Sequence, residues 1–295
     1  MKKNIPLILV ALFAATFSVQ CANRPVRTTA DATTNVMTFN IRFDNPRDDE
    51  NRWENRKDLA IQTVLDNQVD ILGMQEVLHN QVLDFQNALP NYEWIGVGRD
   101  DGIEAGEYSP IFYNTKRFAE VGSGYFWLSE APMEAGSIGW DAACTRIATW
   151  AKLKDQRNGK IIFVLNTHFD HVGKIARAES VKLILEKVHA YTRKNKFPVI
   201  VMGDFNATQN SDVIKALTDE NNPLHLKDSR SLVPSVKGPS WTFHDFGKRS
   251  EQDRSLIDYV FVRNNVSVLD YKIIEGYHDG RWISDHCPIL VKVRY

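Results

Sequence analysis

Hydrophobic residues recur along this 295-residue chain in short runs bordered by Gly, Pro, Asn or Asp, and the runs are rich in β-branched and aromatic residues. That pattern is typical of buried β-strands. The segments that it predicts as strands are Val36–Ile41, Ile71–Gln75, Tyr92–Val97, Ile111–Tyr113, Ile147–Leu153, Ile161–Asn166, Val199–Gly203, Ile257–Val262, Tyr271–Ile274 and Ile289–Val293.

Other segments place their apolar residues three and four positions apart, which predicts helices with one buried face. They are Arg56–Asn67, Asn80–Leu89, Gly173–Thr192 and Ser211–Leu217, the last with Ser211 as N-cap. Helices and strands alternate early, whereas strands crowd together late. The sequence therefore predicts an α/β fold in which helices flank a two-sheet sandwich, rather than an all-parallel doubly wound sheet.

Residues 35–295 contain no internal repeat and no interior linker, so we expect one catalytic domain there. Segments rich in Gly or charge are predicted as surface loops beside a substrate cleft. They are Gly98–Gly106, Gly122–Gly124, Gly136–Gly139 and Ser229–Gly238.

The N-terminus has a short basic end, Met1–Asn4, followed by the apolar run Ile5–Val19. This run has the length of a signal peptide and is too short for a membrane span. Residues 1–22 are therefore predicted to be a signal peptide and residues 23–34 a flexible tether. Two outcomes stay open: lipidation of Cys21, disfavoured by Gln20 where a small residue is expected, and ordinary cleavage beside Ala22. We expect an exported protein that is periplasmic, an outer-membrane lipoprotein or secreted, with membrane contact only through a lipid on Cys21.

Composition is that of a folded soluble domain, with 43% hydrophobic and 25% charged residues. A net charge of −1 provides no general attraction to duplex DNA. Cys144 and Cys287 remain after processing and cannot form a disulfide framework. They either approach each other or serve as two small buried hydrophobic residues.

Polar side chains stand where several predicted strands end, and loops on a rigid scaffold commonly carry catalytic groups. These side chains are Asn40, Glu76, His168, Asp204 with Asn206, and Asp285 with His286. Taken singly, Asp204 fits an Asx-turn, Glu76 a helix N-terminal acid and His286 a strand cap. Together they predict one metal site at a sheet edge. Carboxylate and amide oxygens favour Mg²⁺ or Mn²⁺, whereas zinc would require a tight Cys/His cluster.

Six motifs, in the expected order, resemble those of the endonuclease/exonuclease/phosphatase superfamily. They are Met37–Arg42, Gln75-Glu76, Asn166–His171, Gly203–Asn206, Ile257–Tyr259 and Ser284–His286. The resemblance implies a deoxyribonuclease-like four-layered α/β sandwich, with two packed mixed sheets flanked by helices. Further segments resemble a secreted bacterial branch near the carbon-catabolite-repressor deadenylases: Asn51–Trp53, Gly98–Gly102, Phe126–Glu130 and Gly139–Asp141.

The resemblance also implies a role for each candidate residue. Glu76 would be the principal metal ligand, with Asn40 and Asp285 as direct or water-mediated partners. Asp204 would orient or deprotonate the attacking water, and Asn206 would bond a phosphoryl oxygen.

On the phosphate side, His286 would contact the phosphate as a cation, with Asp258 holding its other nitrogen. His168 would face the phosphate from another side and assist the leaving oxygen, and Arg146 would contact the phosphate. Asp170 and His171 either stabilise the loop around His168 or reach a second metal. Four loop tryptophans either stack a substrate ring or pack the loops: Trp53, Trp140, Trp241 and Trp282.

The implied function is a Mg²⁺-dependent hydrolase of phosphoesters, first a phosphodiesterase or nuclease resembling a 3′–5′ exonuclease that acts outside the cytoplasm. Its substrate would be a nucleotide, a single-stranded nucleic acid or a small phosphoester. The alternative is a phosphomonoesterase, or a phosphatase of phospholipid or inositol-phosphate head groups. A non-catalytic binding protein is disfavoured, because each family catalytic position keeps its residue type. We expect a monomer.

Overall fold

The computed structural model describes residue 1 and residues 33–278 and 280–295. Residues 2–22 of the predicted signal peptide and residues 23–32 of the predicted tether lie outside the described residues, so both segments stay predictions. The first strand already begins at Thr34, so the tether ends at least one residue earlier than predicted. Within the described part of the chain, no helix combines the length and the apolar character needed to cross a bilayer.

Two six-stranded mixed sheets form the centre of the molecule. The first sheet has the order β11-β14-β1-β2-β4-β3. Its strands are β1 (Thr34–Asn40), β2 (Ile71–Gln75), β3 (Tyr92–Ile95), β4 (Ile111–Asn114), β11 (Ser267–Ile273) and β14 (Ile289–Arg294). β1 and β2 are parallel, and the other neighbours in this sheet are antiparallel.

The second sheet has the order β5-β6-β7-β8-β10-β9. Its strands are β5 (Phe118–Trp127), β6 (Ile147–Asp155), β7 (Ile161–His168), β8 (Val199–Asp204), β9 (Lys227–Asp228) and β10 (Asp258–Arg263). Its one parallel pair is β7 and β8. The short strands β12 (Tyr277–His278) and β13 (Arg281–Trp282) form a separate hairpin.

Helices cover the outer faces of both sheets. They are α1 (Trp53–Asp66), α2 (His79–Ala88), α3 (Lys174–Thr192) and α4 (Asp212–Thr218), and Ser211 accepts a hydrogen bond from the Ile214 N–H as the predicted N-cap. One hydrophobic cluster lies between α1, α2 and the first sheet, and a second fills the space between the sheets and under α3 and α4. The predicted four-layered α/β sandwich is therefore confirmed.

Alternation along the strands explains why the layers pack in this order. In β2, Ile71 belongs to the cluster between the sheets, whereas the next residue, Leu72, belongs to the cluster under the helices. Because successive strand residues point to opposite faces, both faces of these strands are buried. This is why the strands appear in the sequence as continuous apolar runs rather than alternating ones.

Asn166 links the two sheets by hydrogen bonds that are fully buried. Its amide nitrogen donates to the carbonyl oxygens of Met74 (2.7 Å) and Pro110 (2.9 Å), and its oxygen accepts from Gln75 Nε2 at 2.6 Å. Gly73 makes this approach possible, since a Cβ there would lie 2.8 Å from Asn166 Cγ. The contacts set the position of β7 relative to β2 close to the predicted site, since Gln75 comes one residue before Glu76 and Asn166 two residues before His168.

Three expectations need correction. The segment Gly122–Gly124 is not a loop but the middle of β5, an edge strand. Neither Trp53 nor Trp282 is in a loop: Trp53 begins α1 and is 1% exposed, and Trp282 is the last residue of β13. The segment Ser229–Gly238 begins with a short 3₁₀ turn, Ser229–Leu232, before it becomes a loop.

Candidate active site

Strands from both sheets deliver their polar ends to one pocket of about 290 Å³. The residues that line it include seven of the nine predicted site residues: Glu76, Arg146, His168, Asp204, Asn206, Asp285 and His286. Asn40 and Asp258 lie directly behind this lining, where they hydrogen-bond to Asp204 and His286. The structure therefore brings all the predicted residues together.

The first sheet supplies the carboxylates that would hold a metal. Glu76 follows β2 in a left-handed backbone conformation (φ 60°), and Asp285 precedes β14 and is 5% exposed. Burial, with the neighbouring charge of Glu76, raises the pKa of Asp285 to about 6. Two carboxylates on one pocket wall are the hard oxygen ligands that Mg²⁺ and Mn²⁺ prefer, so the donor set fits the predicted ion.

Asn40 connects the two halves of the site. Its amide nitrogen donates to Glu76 Oε1 and to Asp204 Oδ2, each at 3.1 Å, and its amide oxygen accepts from the Arg42 N–H at 3.0 Å. In this arrangement the nitrogen, not the oxygen, faces Glu76. The geometry gives Asn40 an indirect role that orients two carboxylates, and direct ligation would require its amide to turn.

Asp204 lies at the centre of the pocket and is 1% exposed. Its Oδ1 accepts from the Asn206 N–H at 2.8 Å, and its Oδ2 lies 3.4 Å from His168 Nε2 and 3.8 Å from His286 Nε2. Burial, together with the charge of Asp258, raises the pKa of Asp204 to about 7. A carboxylate with such a pKa is suited to accept a proton near neutral pH.

His286 is held as a cation by Asp258. Its Nδ1 lies 2.8 Å from Asp258 Oδ2, and both side chains are at most 4% exposed. Burial by itself lowers the pKa of His286, but the charge and the hydrogen bond of Asp258 outweigh it and raise the pKa to about 10. The imidazolium therefore presents a fixed positive charge and a donor, Nε2, to the pocket.

The surroundings of His168, unlike those of His286, favour the neutral imidazole. Burial, and then the charges of Arg146 and Arg99, lower the pKa of His168 well below its usual value. Its Nε2 lies 3.0 Å from the amide nitrogen of Asn206, which also donates to the Phe169 carbonyl oxygen at 2.9 Å. A neutral His168 is thus positioned beside Asp204, and in this state it is a poor acid for a leaving oxygen.

Arg146 lines the pocket, but its guanidinium also serves the adjoining loop. Its Nη2 lies 3.0 Å from His171 Nδ1, and its Nε lies 3.5 Å from Asp170 Oδ2. Asp170 accepts backbone hydrogen bonds from Ala143, Val172 and Gly173 at 2.6–3.1 Å.

These contacts bear on whether the loop holds a second metal. Cys144, Asp170 and His171 offer ligand atoms within 4.8 Å of one another. However, the Asp170 oxygens already accept three backbone N–H groups, and a guanidinium lies against His171. The cluster fits the loop-stabilising interpretation of Asp170 and His171 and does not fit a second metal. Cys144 is a free, half-buried thiol at the pocket, and Cys287 is free and buried.

Sequence reasoning missed several residues of the pocket wall. They are Arg42, Phe43, Arg99, Glu107 and Phe243. Arg42 is the last residue of the Met37–Arg42 motif, but nothing in that motif distinguishes its side chain from a surface arginine. Arg99 lies in the loop that was predicted beside the cleft, but its side chain was not singled out, and the remaining three belong to loops without a local pattern. Of the described aromatic rings other than imidazoles, Phe43 and Phe243 line the pocket, whereas the four tryptophans that were predicted to surround it do not. Trp241 and Trp282 pack against His244.

The chain is similar to proteins of known family and structure. A model of the Endonuclease/Exonuclease/phosphatase family matches residues 37–286. A crystal structure of an endonuclease/exonuclease/phosphatase from Bacteroides vulgatus is 44% identical, with a TM-score of 0.85, and the match covers 90% of this chain and 99% of that one. A mannosyl-6-phosphatase from Bacteroides thetaiotaomicron is 35% identical, with a TM-score of 0.82 and coverage of 89% and 100%.

A more distant relative is the 3′-5′-exoribonuclease subunit Ccr4 of the CCR4-Not complex from Mycosarcoma maydis. It is 22% identical over an alignment of 331 positions, and the alignment covers 87% of this chain. The chain spans 49% of the length of that protein.

Proposed function

The chain belongs to the endonuclease/exonuclease/phosphatase family and is a metal-dependent phosphoester hydrolase, and from that premise we propose that it is a Mg²⁺-dependent phosphomonoesterase acting on a small, hydroxyl-rich phosphate ester such as a sugar phosphate. This choice reverses the order of the two activities that the sequence favoured. Its substrate class follows the 35% identical relative described as a mannosyl-6-phosphatase.

The size and lining of the pocket carry the proposal. A volume of about 290 Å³ is at the small end for ligand sites and suits one phosphoryl group with a compact polar substituent. Beyond the predicted catalytic residues, the wall contains Arg99 and Glu107, whose side chains pair through contacts of 2.6 and 2.9 Å. Charged groups of this kind hydrogen-bond to hydroxyls more readily than to an apolar leaving group.

The residues divide the chemistry between the two sheets. Glu76 and Asp285 would hold the ion, which supplies positive charge to the phosphoryl oxygens. Asp204, with a pKa of about 7, accepts a proton from the attacking water. His286, with a pKa of about 10, donates from Nε2 toward the charge that develops on the phosphoryl group. Asn40 holds the carboxylates of Asp204 and Glu76 in position by donating a hydrogen bond to each.

A second candidate is a 3′–5′ exonuclease, which the relation to the Ccr4 subunit favours. The rings of Phe43 and Phe243 at the pocket offer faces on which a terminal base would stack. In that case the small pocket would accept only the last nucleotide of a single strand.

A substrate panel separates the candidates. Mannose 6-phosphate, 4-nitrophenyl phosphate, bis(4-nitrophenyl) phosphate and a short single-stranded RNA are each assayed with Mg²⁺ and with Mn²⁺, and Glu76→Gln serves as the blank. We expect a kcat/KM for the sugar phosphate at least ~10²-fold above that for the diester. Degradation of RNA with the monoesters left intact would favour the exonuclease instead.

Export from the cytoplasm is also a proposal, and its support is the basic and apolar start of the sequence. Fractionation of cells that express the full chain, with mass spectrometry of the mature N-terminus, tests it. A Cys21→Ser variant that leaves the outer membrane fraction for the soluble fraction would indicate lipidation, whereas an unchanged distribution would indicate ordinary cleavage.

A further inference from the structure

We propose that Arg42 is a phosphate-binding residue of this site, whose guanidinium nitrogen Nη1 donates to a non-bridging oxygen of the phosphoryl group beside the metal position. The proposal rests on the phosphoester chemistry of the family and not on which ester is the substrate. It assigns a role to a residue that lines the pocket but that the catalytic division described above does not use.

The head group of Arg42 is fixed so that one nitrogen remains available. Its Nε and Nη2 donate to the two carboxylate oxygens of Asp48 at 2.9 and 3.0 Å, and its Cζ lies 4.5 Å from the centre of the Phe43 ring. A fork-to-fork pair of this kind fixes the plane of the guanidinium. Within the described residues, Nη1 has no acceptor at hydrogen-bonding distance, and the side chain is 24% exposed at the pocket.

The position of that nitrogen matches the place where phosphate must bind. Arg42 Nη1 lies 3.8 Å from Glu76 Oε2, and Arg42 Nε lies 4.0 Å from Asp285 Oδ2. Both distances are those of ion pairs and exceed those of hydrogen bonds, so Arg42 attracts the two carboxylates without being hydrogen-bonded to either. A ligand oxygen that contacts an ion held by these carboxylates would lie within reach of Nη1.

The backbone of Arg42 is held in a strained conformation by the side chains of Asn40, Arg56 and Gln81. Its φ of 58° lies in the left-handed region, which is unfavourable for a residue with a Cβ. Its carbonyl oxygen accepts from Arg56 Nη2 at 2.8 Å and from Gln81 Nε2 at 3.0 Å, while its N–H donates to Asn40. Strain that is held from several sides in this way is characteristic of functional sites.

Arg56 connects several segments of the chain around the backbone of Arg42. It is 1% exposed, and its guanidinium donates to the carbonyl oxygens of Asn51, Ile41, Arg42 and Ile283. It therefore clamps the segment after Asn40 to the segment before Asp285. The segment Asn51–Trp53 contacts the same clamp, since the Asn51 carbonyl oxygen accepts from Arg56 and the Trp53 ring lies 5.0 Å from the Arg56 guanidinium.

The charges of the pocket also favour a cation at this place, in addition to His286. Four carboxylates line it, whereas Arg99 is paired with Glu107 and Arg146 lies against His171 and Asp170. A phosphate dianion that approaches Glu76, Asp204 and Asp285 meets repulsion that one divalent ion offsets only in part. Arginine provides a charge of fixed geometry that suits phosphate oxygens better than lysine does.

The alternative is that Arg42 only neutralises Glu76 and Asp285. The two roles predict different results when the charge is removed. If Arg42 is a neutraliser, its loss strengthens metal binding and leaves phosphate affinity unchanged. If Arg42 binds phosphate, its loss weakens phosphate binding in the metal-loaded protein.

The test is isothermal titration of the full chain with inorganic phosphate at saturating Mg²⁺, together with kcat/KM for 4-nitrophenyl phosphate. The variants are Arg42→Gln, Arg42→Lys and Asp48→Asn, and the matched control is Arg47→Gln, an exposed arginine on the same loop. We expect Arg42→Gln to weaken phosphate binding at least ~10-fold and to lower kcat/KM at least ~10²-fold, with Arg47→Gln unchanged.

Two further measurements keep the result decisive. Asp48→Asn should cause part of the loss, and the double variant with Arg42→Gln should be no worse than Arg42→Gln alone, because both act through one guanidinium. Arg42→Lys keeps the charge but not the fork, so partial retention of phosphate binding is expected even if Arg42→Gln folds poorly. Wild-type phosphate affinity in folded Arg42→Gln, or tighter Mg²⁺ binding without any loss for phosphate, would overturn the assignment. Failure of the phosphomonoesterase proposal would appear instead as a wild-type protein that binds phosphate but does not hydrolyse monoesters.

Discussion

Asp258 Oδ2 lies 2.8 Å from His286 Nδ1, and this contact joins the two sheets across the active site. Asp258 is the first residue of β10 in the second sheet, whereas His286 precedes β14 in the first. The bond leaves His286 Nε2 facing Asp204 at 3.8 Å. A residue carried by the metal-binding sheet is therefore oriented by the sheet that carries the general base.

Removal of this partner should produce a pH-dependent loss of stability. Because the pKa of His286 rises from 6.5 to about 10 on folding, the stabilisation is fully present below the unfolded pKa of 6.5 and is lost as the pH rises toward 10. We expect Asp258→Asn to lower the free energy of unfolding by about 3 kcal/mol near pH 6. Urea unfolding of chelator-treated protein at several pH values measures the difference.

The control for that experiment is Asp253→Asn, at an exposed position before β10. It should show a small difference that does not depend on pH. A loss for Asp258→Asn that stayed constant from pH ~6 to ~10 would mean that the pair does not stabilise the charged imidazole.

Glu76 is expected to be required for metal binding and turnover but not for folding. Glu76→Gln should reduce kcat by at least ~10²-fold at saturating Mg²⁺, since the amide removes one charged ligand. Far-ultraviolet circular dichroism should be unchanged. Glu120→Gln, at an exposed position on β5, is the matched control, and near-normal turnover of Glu76→Gln would exclude the ligand role.

Metal affinity should decrease in acid because Asp285 must release its proton before it can bind an ion. With its pKa raised to about 6, Asp285 is ionised above that pH and protonated below it. We expect the Kd for Mn²⁺ to increase by up to ~10-fold for each pH unit below about 6. Titration calorimetry on wild type and Asp285→Asn tests this: the variant should bind more weakly but with a flatter pH dependence, and parallel curves would contradict the prediction.

Asn166 should matter for stability although it touches no substrate. Replacement by Leu removes the three hydrogen bonds that Asn166 makes to the Met74 and Pro110 carbonyls and to Gln75 Nε2. The Pro110 carbonyl keeps a bond from the Met74 N–H, and Gln75 Nε2 keeps its bond to Thr38. Because each buried hydrogen bond contributes about 1 kcal/mol, we expect a loss of ~3 kcal/mol, measured by urea unfolding. Asn158→Leu, in the β6–β7 turn, is the control, and a near-wild-type value for Asn166→Leu would show that the sheets are held in place by apolar packing alone.

Much of the fold followed from the sequence because the central strands are buried on both faces and their apolar runs are unambiguous. The edge strand β5 was missed for a physical reason. Gly122 and Gly124 interrupt its pattern, and Gly124 is there because a Cβ would approach the Trp150 ring to 3.0 Å. That requirement arises from the neighbouring strand β6, so the local sequence could not reveal it.

The site was predictable where chemistry coincides with a strand end, as at Glu76, Asp204 and His286. It was not predictable for side chains that reach the pocket from loops. Glu107 arrives on a loop that folds back so that the Arg99 N–H donates to its carbonyl oxygen at 3.2 Å, and nothing nearby in the sequence signals this. The protonation states were also hidden, because the contrast between charged His286 and neutral His168 depends on burial and on partners distant in the chain.

The division of labour between the sheets has a consequence for how this enzyme can fail. The groups that would hold the ion belong to one sheet and the proton acceptor to the other, so the rate of hydrolysis depends on how the two sheets are aligned. A substitution at the interface between the sheets, for instance at Gly73, would abolish hydrolysis while every reactive group stayed chemically intact. Inactivating substitutions in a mutational survey should therefore cluster along that interface as well as around the pocket.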